Sequence, residues 1–131
     1  MKTKILSLAV LAGLAAPAFA DTRTPGALDV AVAHERSAGT RVAYYARMTI
    51  IAERDRATAQ IVIDMAKAEW GAALRANDAD AAGYWAKRHR DALVEQRRAT
   101  SDALLYRTAR DAAREEFEAS AREVRRHRHD G

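Results

Sequence analysis

The sequence predicts an all-α fold: an antiparallel hairpin of two long helices that folds as, or within, a helical bundle. Three observations carry this. Past residue 20, Ala, Arg, Glu, Leu and Lys supply 59 of 111 residues, and these side chains lose little rotamer freedom in a helix. The last proline is Pro25, so nothing beyond it must break a helix. One strong turn signal, Asn77-Asp78-Ala79-Asp80, divides the helical sequence. The apolar clusters on its two sides match when the chain is folded back there.

The elements follow in order. Lys2 and Lys4 precede an apolar run over 5–16, and Pro17 leads into Ala18-Phe19-Ala20 ahead of Asp21. A positive start, an apolar centre and a small-x-small end form the pattern of a secretory signal peptide, expected to be cleaved after Ala20. The run is about 12 residues, short of the roughly 20 that a bilayer-spanning helix needs. The expected location is therefore the periplasm or the cell exterior. The chain has no cysteine, which excludes disulfides, thiol chemistry, cysteine metal sites and lipid attachment to a cysteine.

Residues 21–26 read as a lead-in to a single helical domain spanning 21–131. A short N-terminal helix is expected over 27–36. Ser37-Ala38-Gly39-Thr40 is a weak spot, because Gly39 costs about 1 kcal/mol against Ala in a helix, and Ser37 or Thr40 suits a new N-cap. A long helix is expected over 41–75. In the turn, 77–80, Asn77 suits the left-handed conformation that ends a helix, and Asp78 or Asp80 suits the next cap. Arg75 before the turn and the aspartates within it match the two helix dipoles. The last helix is expected over 81–127, with a fainter interruption at 99–102. Its outer face carries helix-spaced charges, in which Asp111 and Glu115 flank Arg114, Glu118 precedes Arg122, and Glu123 precedes Arg126. Such pairs on a solvated face contribute a few tenths of a kcal/mol, roughly, each.

A reversal at the turn places residue i opposite about 157 − i. Trp70 and Leu74 then lie beside Tyr84 and Trp85, Ile61 and Met65 beside Leu93 and Val94, and Ile50 and Ile51 beside Leu104, Leu105 and Tyr106. The facing track on the second helix is coiled-coil-like and rich in alanine (Ala92, Ala99, Ala103, Ala113), with Trp85, Tyr106 and Phe117 among them. His89, Gln96 and Arg110 interrupt it, as polar residues interrupt a coiled-coil seam. Leu, Ile, Val and Phe number only 16 of 111 past residue 20, and Met, Tyr and Trp bring the large apolar side chains to 24. So thin a core predicts help from another surface. Either the chain folds back into a short bundle or two hairpins join as a four-helix bundle. The expected partner is a second copy, giving a homo-oligomer, or another envelope protein.

Charge narrows the function. The net charge of +4 falls to about +2 once Lys2 and Lys4 leave, with no basic stripe along the helices, so no nucleic-acid partner is expected. No His-Glu-x-x-His, glycine-rich phosphate loop or nucleophile elbow is present. Ser37, Ser101 and Ser120 have no paired base. No catalytic residue, cofactor or enzymatic activity is expected.

Four groups are candidates for contact or binding. His34, His127 and His129 are candidate zinc or copper ligands near the open end of the hairpin. His127 and His129 are two residues apart, on different helix faces, and converge only if the tail unwinds. Trp70, Tyr84 and Trp85 make a candidate contact patch around the turn. Arg125, Arg126 and Arg128 form a basic tail that suits an anionic membrane surface. In the middle, Arg54, Asp55 and Arg56 face Arg97, Arg98 and Asp102, and these are expected to point outward with alanines inward. The Leu-Thr-x-x-Gln repeat of one periplasmic helical family is absent, and no other family signature is legible. The expected function is that of an exported helical protein acting by protein contact, as an envelope scaffold, chaperone-like factor or inhibitor. Metal binding through the histidines and membrane-surface binding through the tail are the alternatives.

Overall fold

A computed structural model describes residues 25–131; the expected signal peptide lies outside the described residues. Two helices, α1 (Ala27–Arg75, 49 residues) and α2 (Ala79–His129, 51 residues), account for nearly all of it. They pack antiparallel as one extended hairpin, roughly 70 Å long at 1.5 Å per residue. The described chain does not fold back into a short bundle.

α1 starts where the backbone amides first need partners. Gly26 is extended (φ −64°, ψ 161°), its carbonyl accepts from the Val30 N–H at 3.1 Å, and its own N–H donates to Asp29 Oδ2 at 3.1 Å. The acid in the first turn also suits the positive end of the helix dipole.

The break expected at 37–40 is absent, and α1 runs through it. Two local facts explain this. The Thr40 hydroxyl donates to the Arg36 carbonyl at 3.0 Å, so it is satisfied inside the helix and caps nothing. Gly39 is a packing residue, since a Cβ there would sit 3.4 Å from the Phe117 ring. The cost of a helical glycine is offset by close approach of α2. The interruption at 99–102 is absent too, and the Thr100 hydroxyl back-bonds to the Gln96 carbonyl at 2.8 Å.

The turn forms where the sequence placed it. Asn77 takes the left-handed conformation (φ 53°). The Asn77 and Asp78 amides donate to the carbonyls of Leu74 and Ala73, at 3.2 and 3.0 Å, closing a Schellman motif. Asp78, rather than Asp80, is the N-cap of α2, and its Oδ1 accepts from the Ala81 N–H at 3.0 Å. Three residues therefore reverse the chain.

The register follows. Arg41 pairs with Glu116, Gln96 donates to Gln60, and Phe117 lies against Gly39, all close to the expected 157 − i. The seam between the helices is almost wholly alanine. On α1, Ala31, Ala38, Ala52, Ala59, Ala66 and Ala73 are buried, one every seven residues with Tyr45 at the missing step. α2 answers with Ala82, Ala92, Ala99, Ala103 and Ala113. A strict seven-residue repeat keeps one stripe facing its partner along a supercoiled pair, and small side chains let the backbones come close. The polar residues in the α2 seam find partners at its edge. Gln96 bonds Gln60, Arg110 holds Asp111 at 3.0 Å, and the His89 ring lies 6.2 Å from that of Trp70. No buried side-chain polar atom among the described residues lacks a partner.

Candidate functional site

Alanine fills the seam, so the large side chains have nowhere inside to go. Of the 24 large apolar residues, only Ile63 and Val124 are buried, and 12 are exposed. Burying a large apolar side chain is worth about 1.5–3 kcal/mol, so their position outside the seam is the unusual feature of this molecule.

The most exposed on α1, Ile50 at 70% and Ile61 at 68%, stand outside any groove. The two flanks of the hairpin differ. One flank is a polar ladder, in which Glu53 accepts from Arg107 at 2.7 Å and lies 3.6 Å from Arg56, with the Gln60–Gln96 bond beside it. The other is a groove of about 420 Å³ at mid-length. From α1, Met48, Ile51 and Val62 line it, with Asp55 and Thr58 between them. From α2 come Glu95, Arg98, Asp102 and Tyr106. Tyr44 and Met65 continue the α1 row beyond the groove at the same alternating four- and three-residue spacing and are exposed. On α2, Leu105 and Tyr84 share that flank and are 63% and 62% exposed.

Among the described residues, neither Arg98 nor Asp102 has an ion-pair partner within 4.0 Å. Part of the middle layer, Asp55, Arg98 and Asp102, therefore borders the groove, whereas Arg54 and Arg56 pair along their own helix with Asp55 and Glu53. At the open end, the Arg41–Glu116 pair bridges the helices on the groove side. Its hydrogen bond holds the Glu116 carboxyl below its usual value and raises that of Arg41. Lys87, four residues before Asp91, does the same to that carboxyl through a 2.9 Å bond.

The other candidates fare as follows. No group of three His, Asp or Glu able to hold a metal occurs among the described residues. His34 lies near Arg41 and Ser120, and His127 lies 3.8 Å from Glu123. α2 stays helical to His129, so the unwinding that would bring His127 and His129 together does not occur. Of Trp70, Tyr84 and Trp85, Trp70 is paired with His89, and Tyr84 meets Trp85 edge-on at 4.9 Å. Arg125, Arg126 and Arg128 are exposed on the last turns of α2. The surface ion pairs also differ from expectation, since Asp111 holds Arg110 rather than Arg114, and Glu123 faces His127 rather than Arg126. No described helix is long and apolar enough to cross a membrane.

The α1 row from Tyr44 to Met65 escaped the sequence reading. Its spacing is legible, but α1 carries two heptad tracks side by side, and only the packing shows that alanine takes the seam and the large residues take the flank. No family model matches the chain, and neither does any curated protein or solved structure.

Proposed function

We propose that this chain is an exported, non-enzymatic protein that acts by protein–protein contact, as an envelope scaffold, chaperone-like factor or inhibitor, and that the apolar flank is its working surface. One observation carries the reading: the hairpin closes on alanine and leaves its large apolar side chains outside. A row of Met, Ile, Val and Tyr at coiled-coil spacing is the side of a helix that recognises another helix. The signal peptide that the sequence predicts would deliver this surface to the periplasm.

The test is site-specific photo-crosslinking in cells. A photoreactive phenylalanine replaces Tyr44 or Met65 on the flank, or Gln60 or Lys67 on the far, polar flank of α1. Protein adducts at the two flank positions, well above those at the two far positions, are expected. Equal or absent adducts at all four would overturn the reading.

A further inference from the structure

The groove has a self-complementary order, and it points to its occupant. Read outward from a point between Asp55 and Thr58, the α1 row is nearly palindromic. Asp55 mirrors Thr58, Ile51 mirrors Val62, and Met48 mirrors Met65. We propose that a second copy of this chain covers the flank, related by a two-fold axis perpendicular to the helices at that point. The two turns then lie at opposite ends of a four-helix assembly. This rests on the contact reading above and names its partner.

A two-fold axis makes each contact occur twice, with the same patch on both subunits. Under this axis α1 lies over α1 of the second copy. Ile51 meets Val62 and Met48 meets Met65, giving four apolar contacts, two on either side of a polar centre where Asp55 faces a Thr58 hydroxyl. A polar residue within an otherwise apolar seam fixes register and orientation. α2 lies over α2. Its centre, opposite that of α1 in the hairpin, falls between Arg98 and Asp102, so Arg98 of each copy meets Asp102 of the other. Neither has an ion-pair partner within the hairpin; Glu95, the third groove charge without one, falls opposite Leu105 of the other copy.

The competing arrangement, with both turns at the same end, lays α1 over α2. It sets Asp55 against Asp102, Val62 against Glu95, and Met65 against Asp91. The like charges Asp55 and Asp102 disfavour it, because apposed like charges at an interface cost several kcal/mol, roughly. The sequence order of charges therefore selects the antiparallel pair.

The mature chain has no cysteine, which makes the test clean. Met48→Cys and Met65→Cys chains are mixed and oxidised. The two positions lie 17 residues apart on one helix, about 25 Å at 1.5 Å per residue, so a disulfide between them reports two copies in antiparallel register. Sedimentation on the unmodified protein is expected to give a dimer. Asp102→Arg is expected to weaken it about ten- to a hundredfold, and the double reversal Arg98→Asp with Asp102→Arg to restore it to within about threefold. Ile51→Asp should leave a monomer. Should that variant unfold, the charge reversal still decides, because Arg98 is exposed and Asp102 only half-buried. Met48–Met48 disulfides, or a charge reversal with no rescue, would overturn the proposed register. A monomeric protein whose flank crosslinks only to a different protein would overturn the self-pairing and leave the contact reading standing. A monomer with no flank adducts would overturn both.

Discussion

Two residues decide where the chain reverses. Asn77 accepts a left-handed backbone that most side chains avoid, and Asp78 supplies the oxygen that the first amides of α2 need. Replacing Asp78 by Ala is expected to cost about 1 kcal/mol, measured by thermal unfolding of the variant beside the parent. No change would mean that Asp80 or water takes over the cap. At the other end, the Arg41–Glu116 pair makes a pH-dependent contribution. The folded Glu116 carboxyl lies below its usual value because Arg41 stabilises the ionised form. Its contribution is therefore present above the ordinary glutamate range, near 4.5, and is lost as the pH falls through the depressed folded value. The melting temperature of the parent is expected to exceed that of Glu116→Gln at neutral pH, with the gap closing in acid. A gap that persists at about pH 2 would show that the difference is not electrostatic. Both side chains are well exposed (44% and 55%), so the effect is small.

At the scale of the helix, the seven-residue alanine repeat of α1 sets how closely the pair can approach. Ala66 is fully buried, at 0% exposure, in the seam between the two helices. Ala66→Leu is expected to destabilise the hairpin by about 1–3 kcal/mol, read from chemical denaturation. Stabilisation instead would mean that the seam is loose and that the large residues outside could have been housed within it. Gly39 belongs to the same logic, because the Phe117 ring takes the space that a side chain at 39 would need. The alanine seam and the apolar flank are thus linked: a seam that excludes bulk sends bulk to the surface.

At the scale of the molecule, a rod of two helices has little interior. The alanine seam is its only continuous core among the described residues, and most of its large apolar area faces solvent. If the second copy completes that core, folding and association are coupled, and stability depends on protein concentration. The melting temperature is expected to rise as the protein is concentrated from the low micromolar range upward. A concentration-independent transition would show that the hairpin is stable as a single chain. The proposed axis lies close to the middle of the rod, so pairing is expected to double the scattering mass while adding little to the length of about 70 Å.

By itself, the sequence determined the helical class, the position and chemistry of the turn, and the register of the two helices. Each of these depends on local backbone preference or on a single count of residues from the reversal, and a count cannot be altered by packing. It also showed, by count alone, that large apolar residues are few. The signal peptide that it predicts lies outside the described residues. Only the tertiary structure decided that α1 runs through Gly39, because the reason for that glycine is the Phe117 ring, 78 residues away. It also decided which of two adjacent heptad tracks on α1 faces α2. Both tracks have the same spacing, so periodicity cannot rank them. Distance between backbones can, and it reserved the seam for alanine and left Met48, Ile51 and Val62 to line a groove on the flank.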